Sequence, residues 1–230
     1  MVPALLDLLV PAHCVCGAPG GDLCRPCRAE LSRPRRVHRP ALIAGPPVHA
    51  LGAHAGVARE AVLAAKLGGR RDLARPLGSC LAVALPQLLA PVLPPRQGPA
   101  AHPALWLVPV PSLAATARRR GGQHMRHIAR HCAHALRAGG RAAVLAPALR
   151  LARGAGDAVG LSAAARAANL AGRVLTRRDA LPPRAAPVVL LDDVVTTGAT
   201  LSACSAALAG AGSPASLALV LTEAGRHGGT

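Results

Sequence analysis

The stretch Val188-Val189-Leu190-Leu191-Asp192-Asp193-Val194-Val195-Thr196-Thr197-Gly198-Ala199-Thr200-Leu201 joins an apolar run, two acids and a hydroxyl-rich turn. The run that begins at Pro187 and stops at Asp192 suits a buried strand. The chain has 10 acidic residues against 27 basic ones, so two adjacent acids at the end of a buried strand stand out. Carboxylates there are costly to desolvate unless something pairs with them, and a sugar diol or a hydrated metal would do so. The turn from Thr196 to Thr200 opens into a helix read from Leu201 to Ala211. Backbone N–H groups, hydroxyls and the helix dipole converge at such a turn and favour a phosphate. Acids for a ribose, followed by a phosphate cradle, describe a ribose-5-phosphate site. The plainer alternative is a strand end with solvent-facing acids and an ordinary helix cap. A Walker-type loop is excluded, because no Gly-Lys-Ser/Thr occurs here, and the lone Gly198 is no dinucleotide fingerprint.

Outward from this stretch, apolar runs alternate with helical patterns. Leu105 to Val108 reads as a buried strand entering the constrained turn Pro109-Val110-Pro111, and Ser216 to Thr222 reads as a final strand. A weaker strand lies around Val144 in the otherwise loop-like residues 139–160. Helices are expected from Val57 to Leu67, from Pro76 to about Leu85, and from Gln123 to Leu136. Pro86 should end or kink the second of these, and Ser162 should cap a further helix through Asn169. This alternation predicts an α/β fold with a mainly parallel sheet flanked by helices. The expected organisation is a small cysteine-rich, zinc-ribbon-like unit in residues 1–32, an Arg-, Pro- and His-rich linker over 33–56, and the main domain over 57–230.

Hydrophobic residues make up 51% of the 230, enough for a real core. No apolar run approaches the roughly 18 residues of a membrane span, so membrane insertion is not expected. The first residues lack a positive segment and carry Asp7 within their apolar run, so a cytoplasmic location is expected rather than secretion. Phe and Tyr are absent, which removes the usual platform for stacking bases. The net charge of +17 is almost all arginine, since Lys66 is the only lysine, and part of it reflects a GC-rich coding bias. The span from Arg118 to Arg153 contains many arginines and no acid, making it the expected polyanion-facing region.

Four of the seven cysteines, Cys14, Cys16, Cys24 and Cys27, crowd together near the N-terminus, a pattern of metal binding rather than of disulfides. Cys24-Arg25-Pro26-Cys27 has zinc-knuckle spacing, and Gly17 after Cys16 suits a tight knuckle turn. Cys16, Cys24 and Cys27 are three expected ligands of a structural Zn2+, with either Cys14 or His13 as the fourth. So small a unit needs its metal to fold, and its loss is expected to leave the main domain intact. Cys80, Cys132 and Cys204 read as small core residues. His124, His127, His131 and His134 share one helix face and read as solvated. Arg118, Arg119 and Arg120 read either as phosphate contacts or as a solvated run.

Taken together, these segments resemble the ComF family of phosphoribosyltransferase-like proteins, associated with DNA uptake in competence. Leu190 to Thr200 is similar to the motif with which type I phosphoribosyltransferases bind 5-phosphoribosyl 1-pyrophosphate (PRPP). The cysteine cluster resembles the family's zinc finger, and Gly56 to Leu77 with Lys66 resembles its next segment. Val108 to Pro111 with Arg119-Arg120-Gly121, and Leu161-Ser162 with Arg166 and Asn169, resemble two others. Three departures stand out: Gly122-Gln123-His124 replaces Phe-Asn-Gln, Ala158 replaces Gln, and His13-Cys14-Val15-Cys16 replaces Cys-x-x-Cys.

The resemblance implies a type I phosphoribosyltransferase-like fold and transfer of a 5-phosphoribosyl group with release of pyrophosphate. It implies that Asp192 and Asp193 hold the ribose hydroxyls with Mg2+, and that Val195, Thr196, Thr197, Gly198, Ala199 and Thr200 bind the 5-phosphate. It further implies a pyrophosphate loop at Pro109, Val110 and Pro111 with Arg120 beyond it, and a hood formed by Lys66, Arg166 and Asn169. The alternative is a non-catalytic adaptor of DNA uptake that binds single-stranded DNA, a nucleotide or other uptake proteins.

Overall fold

The computed structural model describes residues 13–19, 22–67, 69–93, 103–112, 123–152 and 173–225. In chain order the helices are α1 (Arg25–Glu30), α2 (Gly56–Lys66), α3 (Ala74–Leu89), α4 (His124–Ala138) and α5 (Ala199–Gly210). The strands are β1 (Arg35–Arg36), β2 (Val48–Ala53), β3 (Leu105–Pro109), β4 (Ala143–Leu145), β5 (Leu149–Leu151), β6 (Val174–Thr176), β7 (Val188–Val195) and β8 (Leu217–Glu223). Six strands form one sheet in the order β1-β2-β8-β7-β3-β4. All its pairings are parallel except β1 with β2, and β5 and β6 form a separate antiparallel pair.

Alternation along the central strands divides the core into two layers. Val189 and Leu191 of β7, with Leu105 and Leu107 of β3, pack under α2, α3 and α4. Val188 and Leu190, with Val108, pack under α5 through Leu201, Cys204 and Leu208. From β3 the chain passes through α4 to β4, whereas from β7 it passes through α5 to β8 on the other side. The strand order therefore reverses between β3 and β7, and a crevice opens beyond their carboxyl ends.

Three elements differ from the sequence expectation. Residues 33–56, expected as a linker, supply β1, β2 and the turn Pro40–Leu42, and β2 pairs with β8 inside the sheet. Their alternation is hard to read because Val48, Ala50 and Leu51 are interrupted by His49 and Gly52. α3 runs past Pro86 to Leu89, because the buried stripe Leu81, Leu85 and Leu89 outweighs one lost helical hydrogen bond. The short pair β5–β6 was legible in neither half, since three residues per strand carry no period. The helix expected from Ser162 to Asn169 lies outside the described residues.

α3 and α4 approach closely at Gly78, where a Cβ would lie 2.7 Å from the Ile128 carbonyl oxygen. The cysteine unit is likewise seated on the main fold. Cys14, Leu23, Cys27 and Leu31 belong to the same core layer as α2 and α3. Gly52 of β2 lies so close to the end of α1 that a Cβ would sit 2.6 Å from the Glu30 carbonyl oxygen. Arg70 Nη2 donates to the His13 carbonyl at 3.0 Å while the same guanidinium grips Asp72. Among the described residues no helix is long and apolar enough to cross a membrane.

Candidate functional site

The first candidate site is the cysteine cluster. The Sγ atoms of Cys14, Cys16, Cys24 and Cys27 lie within 4.8 Å of one another. Cys14 and Cys27 are 3.5 Å apart, Cys16 and Cys24 3.7 Å, and Cys24 and Cys27 3.3 Å. A tetrahedron with Zn–S bonds of about 2.3 Å has edges of about 3.8 Å, so these thiols could hold a metal such as zinc. The fourth position belongs to Cys14; His13 is exposed and contributes its backbone carbonyl to Arg70 instead. Gly17 turns the knuckle at φ 85°. Burial opposes ionisation of Cys14, but the N–H groups of Cys16 and Cys24 outweigh it and hold the thiol down to about 6. Burial and the neighbouring thiols push Cys27 upward. Burial pushes Cys132 up to about 12 and raises Cys204, and it pushes Cys80 up to about 11 against the opposing Arg28 charge and a backbone N–H, so all three read as packing residues.

The second candidate site is the crevice beyond β3 and β7. Pro109, the last residue of β3, pairs with Leu191, so Asp192 and Asp193 are the first residues of β7 past the end of β3. Successive strand residues face opposite sides. Asp193 falls on the layer of α2 and α4, where Lys66 Nζ reaches its Oδ2 at 2.7 Å and His124 Nε2 reaches the same oxygen at 2.6 Å. Its Oδ1 accepts the Val194 N–H at 2.7 Å. Asp192 falls on the layer of α5, and its Oδ1 accepts the Asp193 N–H at 2.8 Å. Burial penalises both charges. For Asp193 the His124 and Lys66 contacts outweigh burial and hold the carboxyl well below its ordinary range. For Asp192 the adjacent Asp193 charge adds to burial and pushes it up. One acid is thus an anchored anion, and ionisation of the other, half-buried beside it, is opposed until something pairs with it.

The turn after β7 presents Thr196 and Thr197 to solvent. Gly198, buried at φ 86°, caps α5, and its carbonyl accepts the Ser202 N–H at 2.9 Å. A Cβ on Gly198 would lie 2.6 Å from Leu42, so both backbone sign and space demand glycine there. Ala199 and Thr200 open α5, leaving first-turn N–H groups without helical partners.

The resemblance implies backbone N–H groups at the turn Pro109-Val110-Pro111 that face a leaving group, and the turn supplies none of its own. All three residues are buried beside the crevice, but both prolines lack an N–H, and Val110 donates its own to the Leu191 carbonyl at 2.9 Å. This turn is a rigid wall and offers no backbone donor to an anion. Lys66, expected in a hood, instead closes the last turn of α2 against Asp193. Arg120, with Arg118 and Arg119, and Arg166 and Asn169 lie outside the described residues.

His124 is the residue that sequence reasoning misplaced. The pattern places it with His127, His131 and His134 on a solvated face, yet its side chain is only 11% exposed and bonds Asp193. The available signal was its position: it opens α4, the first helix described after β3, at the end of the sheet where the apolar run of β7 gives way to Asp192-Asp193. Among the described residues the other three pair with no acid: His127 Nδ1 lies 3.1 Å from Arg130 Nη2 instead, and burial and the charges of Arg130 and its neighbours hold His127 and His131 below their ordinary value. Thr222, buried in β8, links His54 Nδ1 at 2.9 Å to the Asp193 carbonyl at 3.4 Å. A scan against protein-family models and a search of curated proteins return no match.

Two outcomes are expected. Stripping metal from zinc-loaded protein should lower the thermal midpoint in a single transition, because the cysteine unit shares its core layer with α2 and α3. A separate low-temperature melt with an unchanged main transition would contradict that. Asp193→Asn should cost about 2 kcal/mol, the buried-pair figure discounted for the part exposure of Lys66. Asp192→Asn should leave the midpoint unchanged or raise it at neutral pH. The sign follows from linkage. The low carboxyl of Asp193 stabilises above the ordinary carboxylate range and loses this as pH falls, whereas the raised carboxyl of Asp192 destabilises as pH rises through and above that range. Thermal melts of both variants between pH 3 and pH 9, spanning the ordinary carboxylate value, check it.

Proposed function

We propose that the protein is a type I phosphoribosyltransferase-like, ComF-like protein that binds PRPP in the crevice beyond β3 and β7. The observation that carries the reading is the placement of Asp192, Asp193 and the turn 196–200 at the carboxyl end of β7, where the strand order reverses. Crevices at such reversals are where open α/β sheets take ligands.

The roles divide as the geometry divides. Asp192, which has no cationic partner among the described residues, accepts the ribose hydroxyls. Asp193 stays bound to Lys66 and His124 and fixes the end of the strand. Thr196 to Thr200 hold the 5-phosphate with hydroxyls and the first N–H groups of α5. Pro109-Val110-Pro111 forms the wall beside the pyrophosphate, whose donors come from beyond that turn. Bound Mg2+ supplies neutralisation of the pyrophosphate charge, and a carboxylate such as Asp192 suits its water shell. In turnover the anomeric C–O bond to pyrophosphate breaks, an acceptor's lone pair forms the new bond, and pyrophosphate leaves as the anion. No protein nucleophile is required.

The second reading, a non-catalytic adaptor that binds single-stranded DNA or a nucleotide, is favoured by one feature. The charges of Arg71 in the turn before α3, Arg75 in its first turn, and Arg126 and Arg130 on α4 bear on His127 and His131. Such a face suits polyanion phosphates.

Isothermal titration with PRPP and Mg2+ separates the readings. Saturable binding that weakens at least about tenfold in Asp192→Asn is expected. Binding of single-stranded DNA without PRPP binding would favour the adaptor, and release of pyrophosphate with an acceptor would establish turnover.

A further inference from the structure

The segment before β2 stands directly behind the turn assigned to the 5-phosphate, and Arg39 is its pivot. Arg39 Nε donates to the Thr196 carbonyl at 2.8 Å. Its Nη2 donates to the Ala224 carbonyl at 2.9 Å and pairs with Glu223 Oε1 at 2.7 Å. Its Nη1 donates to the His38 carbonyl at 2.9 Å. Arg35 Nε holds the other oxygen of Glu223 at 3.2 Å. The Arg39 side chain is only 11% exposed, and each of its three nitrogens is engaged by protein. It is therefore not a ligand contact but a tie between three chain segments.

The tie has a directional consequence. In a planar trans peptide the carbonyl and the following N–H point in opposite directions. Drawing the Thr196 oxygen onto Arg39 therefore turns the Thr197 N–H away from Arg39. Two residues later Leu42, from the same segment, fills the space beside Gly198. The turn is braced at both points by residues 39 and 42, so an anion meets donors already aimed.

We propose that Arg39 is a positioning residue that, held by Glu223, preorganises the turn 196–200 as an anion cradle. This rests on the reading of that turn as the 5-phosphate site. A preorganised cradle avoids the ordering cost that otherwise weakens binding.

The test uses the full chain with Arg39→Gln, Arg39→Lys and Glu223→Gln, the last a milder change should Arg39 variants fold poorly. Amide hydrogen exchange and titration with ribose 5-phosphate and with magnesium pyrophosphate are measured on each. Exchange across residues 195–200 should quicken about tenfold or more in Arg39→Gln while β3 and β8 keep their protection. Ribose 5-phosphate affinity should fall about tenfold to a hundredfold, with magnesium pyrophosphate affinity unchanged. Arg39→Lys keeps the charge but not the planar fork, and should resemble Arg39→Gln. Glu223→Gln should shift both measurements in the same direction by less. Unchanged exchange in the turn, wild-type behaviour of Arg39→Lys, or equal loss for both ligands would overturn the proposal. Failure of the wild type to bind either PRPP or ribose 5-phosphate would instead overturn the phosphate reading, and the exchange data would still decide whether Arg39 orders the turn.

Discussion

Two carboxylates on adjacent residues of a central strand cannot share one environment, because a strand turns successive side chains to opposite faces. Asp193 is turned under α2 and α4, where a lysine and a histidine converge on one of its oxygens. Asp192 is turned toward α5 and forms no ion pair among the described residues; the adjacent like charge raises it more than Lys66 lowers it. The anchored acid raises the cost of ionising its neighbour, and a ligand that brings hydroxyls or a cation relieves that cost. The strain of the pair is thereby directed to one side of the strand, the side that borders the turn after β7.

The surrounding elements serve this arrangement by fixing its boundaries. α2 delivers Lys66 in its last turn, and the segment after it is tied to the cysteine unit through Arg70 and the His13 carbonyl. The cysteine unit and the acid pair are therefore joined by one short stretch of chain and one core layer. On the opposite layer, the stretch carrying Arg39 and Leu42 braces the turn from behind. A wall of two prolines and a buried valine closes the β3 side.

The central features were legible because they are local. The apolar run ending in Asp192-Asp193, the helix after Gly198 and the knuckle at Cys24 to Cys27 each carry their signal within a few residues. The parallel α/β sheet followed from their alternation. What stayed hidden depends on distant partners. His124 and Asp193 are 69 positions apart, and Arg39 and Thr196 are 157 apart, so neither pairing leaves a trace in local pattern. The Arg- and Pro-rich composition of residues 33–56 concealed a strand that sits inside the sheet. The turn Pro109-Val110-Pro111 offers no backbone donor for a simpler reason: proline has no N–H to give, and pairing with β7 consumes the one that remains.

The most direct measurement is a carboxyl-carbon NMR titration of the ligand-free protein, with Asp192→Asn and Asp193→Asn assigning the two signals. The expected result is a pair split across the ordinary carboxylate range of about 4, Asp193 titrating below it and Asp192 well above it. Two carboxyls that titrate together within that range would contradict the division of the pair and the roles drawn from it.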